Sequence, residues 1–86
     1  MNKPISDING EILIISQFTL YGDCKKGNRP SFIKAANRKH ANKIYNEFVN
    51  YIKTQFNNVE TGEFGLDMDI KLVNDGPVTL IMDTEK

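Results

Sequence analysis

Four aliphatic residues, Ile12-Leu13-Ile14-Ile15, run without a break into Ser16-Gln17-Phe18-Thr19-Leu20. An unbroken Ile-rich run leaves no face polar, so it reads as a strand over 11–20 buried on both sides. Polar groups then arrive at Ser16-Gln17, where a strand end can present side chains and backbone N–H groups to a ligand. Asn9-Gly10 is the turn before this strand, and Gly22, Gly27 and Pro30 punctuate a loop over 21–30 after it. From Asn37 the period changes. Ala41, Ile44, Tyr45, Phe48, Ile52 and Phe56 recur in steps of three and four, the stripe of an amphipathic helix. Asn37 is placed to cap it, and Asn57-Asn58 to end it.

Thr61-Gly62-Glu63 reads as a turn. Leu66, Met68, Ile70 and Leu72 then alternate with Asp67, Asp69 and Lys71, the pattern of a strand with one buried face. Asn74-Asp75-Gly76-Pro77 breaks that strand, and Val78 opens a last one that runs to Met82. The order strand, loop, helix, strand, turn, strand predicts an α+β domain, with one long helix packed on a mostly antiparallel sheet. The site is expected where the end of the first strand meets Gly76-Pro77.

Length limits what this pattern can bury. Eighty-six residues make one domain, and a chain of that size buries only about 60–65% of its unfolded surface. No apolar run is long enough to cross a bilayer, and no basic-then-apolar leader opens the chain. A lone cysteine, Cys24, makes no internal disulfide, which points to a reducing compartment and a cytoplasmic protein. The net charge is zero but unevenly spread. Lys25, Lys26, Arg29, Lys34, Arg38, Lys39 and Lys43 occur with no acid among them, while the last third is acidic. The basic run fits a surface for a phosphate-bearing partner, and it equally fits a solvated loop and helix face.

Side-chain chemistry is thin. Thr19 is the obvious hydroxyl nucleophile, but such a group needs a base, and the single histidine, His40, sits at the basic helix start. Cys24 has no histidine near it in sequence. Asp67 and Asp69 fall on one strand face, where they could pair as acid and base, hold a metal, or simply form its wet side. No zinc spacing, phosphate loop or calcium loop is present. What is left is backbone chemistry: N–H groups at Phe18-Thr19 able to stabilise an oxyanion, and Gly76-Pro77, an ordinary turn or a cis bond.

Three motifs carry a resemblance. Ser16-Gln17-Phe18-Thr19-Leu20, then Lys26-Gly27-Asn28-Arg29-Pro30-Ser31-Phe32, then Val73-Asn74-Asp75-Gly76-Pro77-Val78-Thr79 resemble the D-aminoacyl-tRNA deacylase (D-tyrosyl-tRNA deacylase) family. Thr61-Gly62-Glu63-Phe64-Gly65 and Met68 match its pattern as well. The resemblance covers roughly residues 10–82 without a gap and implies part of a β-barrel-like deacylase fold. It implies a homodimeric hydrolase that cleaves the ester of D-aminoacyl-tRNA, and of glycyl-tRNA mischarged on tRNA-Ala, releasing the amino acid as chirality proofreading. No cofactor, metal or membrane is implied. Ser16, Gln17, Phe18 and Thr19 would form the catalytic floor, with the Phe18 and Thr19 amides as oxyanion hole. Met68 would line the substrate pocket. Gly76 and Pro77 would be a cis pair reaching into the partner subunit's site to exclude L side chains, and the ribose 2′-hydroxyl would assist catalysis. Lys25, Lys26 and Arg29 are then expected on acceptor-stem phosphates. Family members begin with a further segment, so the chain is expected to be the C-terminal portion of such a fold. An inactive remnant that binds only RNA or a partner, or a small structural domain, is the rival reading.

Overall fold

The computed structural model describes residues 4–84. Its centre is a βαβ unit: β1 (Ile12–Ile14), the helix α1 (Arg38–Gln55) and β2 (Val59–Thr61). β1 and β2 pair parallel, with Ile12 opposite Val59, Leu13 opposite Glu60 and Ile14 opposite Thr61. Parallel neighbours need a long crossover, and the segment containing α1 supplies it. Short 3-10 turns precede and follow β1, at Ile5–Ile8 and Phe18–Tyr21. The Asn9-Gly10 turn forms as expected: Asn9 takes φ 52 and the Gly10 N–H donates to the Ile5 carbonyl at 3.1 Å.

The helix matches its sequence pattern closely. Asn37 caps it, its Oδ1 accepting from the His40 N–H at 2.8 Å, which satisfies one of the donors a first turn leaves free. Ala41, Tyr45, Ile52 and Phe56 are half-buried as the stripe requires. The most buried residue is one the stripe omitted: Val49 is 7% exposed and is the only buried hydrophobic among the described residues. Ile44 and Phe48, each 50% exposed, lie on the flank of the stripe.

The sheet departs from expectation in three ways. It is a two-stranded parallel pair among the described residues, not a mostly antiparallel sheet. β1 spans three residues of the predicted 11–20, and its middle residue Leu13 is 58% exposed, so one face is covered rather than two. Residues 66–72 and 78–82 form no strand. Their alternation is compatible with a strand, but alternation supplies only one face; the ladder needs a neighbour with free N–H and C=O groups. β2 instead forms from Val59-Glu60-Thr61, a β-branched pair hidden between the helix end and a turn signal.

The peptide bond before Pro77 is trans, as are all the bonds of the described residues. Gly76 takes φ +108, and nothing lies within 4 Å of where its Cβ would be. A cis X–Pro bond is disfavoured by about 0.5–1 kcal/mol unless its surroundings select it.

Accessible area quantifies the openness. The chain exposes 8486 Å², where a compact monomer of this size exposes about 5,200 Å². Its radius of gyration is 15.4 Å against about 12 Å for a compact domain. No described helix is long and apolar enough to span a membrane. With so little core, local terms matter. Asn37→Ala is expected to destabilise the chain by about 1 kcal/mol and Asn37→Asp to leave it nearly unchanged, read by urea unfolding of the helical circular dichroism.

Candidate functional site

The parallel ladder ends where the Gly62 N–H donates to the Ile14 carbonyl at 3.1 Å. Beyond it Ile15, Ser16 and Gln17 run free of secondary structure to the 3-10 turn Phe18–Tyr21. Gln17 is extended at φ −154 and ψ 98, and its carbonyl accepts from Leu20 N–H at 3.4 Å. The turn closes with the Gly22 N–H on the Thr19 carbonyl at 2.9 Å. The Phe18 and Thr19 N–H groups, standing first in this turn, donate to no backbone carbonyl among the described residues.

Phe18 meets Phe32 edge-on, ring centroids 5.0 Å apart at 69°, which holds the turn against the segment entering α1. Between that turn, α1 and residues 64–70 opens a groove of about 930 Å³. Ser16, Gln17, Phe18 and Met68 line it, so four of the residues singled out from sequence converge there. Its walls are mainly aromatic and aliphatic, with Arg38 and Asp67 as the charged residues.

The other candidates lie elsewhere. Thr19, Gly76, Pro77, Lys25, Lys26 and Arg29 do not line the groove. The three basic residues sit on an exposed loop whose base is tied by an antiparallel bridge between Asp23 and Ser31, with N–H···O distances of 2.7 and 2.8 Å. Asp23 Oδ1 also accepts from the Lys25 N–H at 2.9 Å. Cys24, in the same loop, is exposed. Asp67 and Asp69 separate: Asp67 faces the groove and Asp69 a smaller cleft of about 280 Å³ beside β1 and β2, so they form no acid–base pair. His40 is exposed on the first turn of α1 and does not line the groove. Among the described residues no three metal-ligating side chains cluster.

Two groove residues escaped sequence reasoning in their roles. Tyr45 reads there as packing, yet its hydroxyl contacts the Ile14 carbonyl at 3.2 Å and the Gly62 carbonyl at 3.1 Å. Phe64 stacks at a tilt on the Tyr45 ring, centroids 5.7 Å apart. Helical periodicity places Tyr45 inward; it carries no information about which carbonyls its hydroxyl meets.

A family model described as D-Tyr-tRNA(Tyr) deacylase matches residues 1–83. Curated relatives agree. The chain is 58% identical over all its 86 residues to a protein from Clostridium novyi named D-aminoacyl-tRNA deacylase. It is equally similar to one of that name from Clostridium kluyveri, and 57% identical to one from Clostridium botulinum. In each case the whole chain matches 58% of the relative, so it spans less than two thirds of their length.

Gly62 fixes where Met68 sits. A Cβ built on Gly62 would collide with the Met68 sulfur and lie 3.3 Å from its methyl carbon, while the Gly62 backbone is one that alanine can adopt. Gly62→Ala is therefore expected to push the Met68 side chain aside without unfolding α1. The ¹³C-methyl resonance of Met68 should shift while the helical circular dichroism is kept; an unmoved resonance would place Met68 elsewhere.

Proposed function

Because the chain belongs to the D-Tyr-tRNA(Tyr) deacylase family, we propose that the protein hydrolyses the ester between a D-amino acid and the 3′-terminal ribose of tRNA. The observation that carries this reading is the convergence of Ser16, Gln17, Phe18 and Met68 on one groove. In that groove the aminoacyl group lies against Met68 and the aromatic wall. The ester carbonyl points at the Phe18 and Thr19 amides, which have no backbone acceptor among the described residues. Donors already in place where negative charge develops lower the barrier without any change of protonation. Water attacks with help from the substrate's own 2′-hydroxyl, since the single histidine, His40, does not line the groove.

The proposal extends to the assembly. The protein acts as a cytoplasmic homodimer, residues 1–86 forming one domain that is the C-terminal portion of a barrel-like sheet. Exposed Leu13, Ile70, Leu72, Val78 and Leu80 supply the apolar surface that further strands and a second copy would cover. Gly76-Pro77 of one subunit then enters the other's site, where its backbone leaves room for hydrogen but not for an L side chain. Glycyl-tRNA, which has no side chain, passes the same test. Lys25, Lys26 and Arg29 hold acceptor-stem phosphates from their exposed loop.

The decisive experiment is deacylation of matched D- and L-aminoacyl-tRNA by the complete protein. Turnover of the D ester with sparing of the L ester is expected. Binding of tRNA with no turnover of either would leave only an RNA-binding protein. Thr19→Ala should keep most of the rate, because alanine retains the amide; near-total loss, with a covalent acyl-enzyme trapped in the parent, would overturn the backbone scheme. Pro77→Ala frees φ and restores an N–H, so the ratio of D to L rates should fall by about tenfold or more.

The loop has its own test. Replacing Lys25, Lys26 and Arg29 together by alanine should weaken tRNA binding. It should also flatten the plot of log affinity against log salt by about 2–3, since each lost phosphate contact removes roughly 0.9 from the slope. An unchanged slope places the contact elsewhere.

A further inference from the structure

The proposed oxyanion donors hang from a strand only three residues long, and one side chain braces its exit. Tyr45 projects from the middle of α1 and places its hydroxyl 3.2 Å from the Ile14 carbonyl and 3.1 Å from the Gly62 carbonyl. One hydroxyl hydrogen is thus shared between the last residue of β1 and the residue just past β2. These are the side-chain hydrogen bonds that join α1 to the two strands among the described residues. The Ile14 carbonyl also accepts from the Gly62 N–H at 3.1 Å, so a single peptide oxygen receives both the last rung of the ladder and the helix. Phe64 packs at a tilt against the Tyr45 ring.

That carbonyl lies four residues before Phe18. Its peptide plane sets the direction in which the chain leaves the ladder, and no further ladder bond corrects it before the 3-10 turn. Catalysis by backbone donors depends on their placement to within a fraction of an ångström. We infer that Tyr45 is a positioning residue for the Ser16–Thr19 floor, its hydroxyl fixing the exit of β1 so that the Phe18 and Thr19 amides face the reacting carbonyl. This rests on the deacylase reading given above. Tyr45 itself touches no reacting atom in this scheme and exchanges no proton.

The geometry separates its role from plain packing. Tyr45→Phe keeps the ring and its contact with Phe64 but removes the shared hydrogen. The Ile14 carbonyl still has its ladder donor, so the fold has a route to persist while the brace is gone.

The test uses Tyr45→Phe in the complete protein, with Tyr51→Phe as control on a residue of the same helix that is 63% exposed. Steady-state deacylation of D-aminoacyl-tRNA should show kcat lowered about tenfold with KM within about twofold, since the loss falls on transition-state placement. The ¹H–¹⁵N amide resonances of Phe18 and Thr19 should shift in Tyr45→Phe and stay in place in Tyr51→Phe. A lowered melting temperature with unchanged kcat and unmoved resonances of those amides would overturn the inference and leave a structural tyrosine. Failure of Tyr45→Phe to fold would overturn it as well, making the hydroxyl a requirement of the fold rather than of the floor. If the parent protein turns over no ester, the functional reading fails, and the Phe18 and Thr19 resonances still decide whether Tyr45 positions them.

Discussion

The Ile14 carbonyl is the point on which this molecule turns. It accepts from Gly62 N–H at the end of the parallel ladder and from the Tyr45 hydroxyl at the middle of α1. Two three-residue strands have little cohesion by themselves, since a parallel pair gives few bonds for the loop it must close. The helix supplies what the strands lack. Its half-buried residues, with Val49 innermost, cover one side of the pair, and Tyr45 converts that packing into a fixed register. A hydrogen bond in such a place contributes only about 1 kcal/mol. Its weight here comes from the scarcity of other constraints.

How much of this could be read from the chain follows the range of the interactions involved. The helix, its Asn37 cap and the Asn9-Gly10 turn are local, and their residues announce them. Val49 falls outside the stripe because steps of four from Ile44 and three from Tyr45 land on its neighbour Phe48, although Val49 is the more buried of the two. The two strands expected over 66–72 and 78–82 failed for the opposite reason. Alternation in Leu66, Met68, Ile70 and Leu72 specifies a face, but pairing is a property of two segments, and no ladder reaches these residues among those described. Val59 and Thr61 formed a strand because β1 was within reach, although their flanking Asn57-Asn58 and Gly62 read as loop.

The site divides along the same line. Ser16, Gln17, Phe18 and Met68 share the groove because each is attached within a few residues of the ladder's end, the first three after β1 and Met68 after β2. Gly76-Pro77 and the basic residues of the loop do not line that groove. Their motifs were as legible as the others, yet legibility of a motif does not fix its position. The loop at least has the Asp23–Ser31 bridge to shape it. At Gly76 nothing lies within 4 Å of where a Cβ would stand.

This contrast bears on how a hydrolase without a side-chain base can work. If the barrier is lowered by amides already aimed at the carbonyl, the protein's task is to prevent those amides from moving, and rigidity must reach the floor from somewhere. On the proposed reading it arrives through the β1 exit, where Gly62 and Tyr45 converge, and it is fed by the helix rather than by a broad sheet. Chiral discrimination makes a different demand. A backbone that rejects an L side chain has to be held across the groove from the floor, by contacts on the far side of the substrate. Residues 71–84 are exposed throughout and carry Leu72, Val73, Val78, Leu80 and Ile81 outward. Under the proposed reading, the floor is thus ordered from within this domain, while the Gly-Pro screen takes its order from whatever surface those aliphatic residues come to rest on. Hydrolysis and chirality then have separate structural supports, and a change that loosens one need not loosen the other.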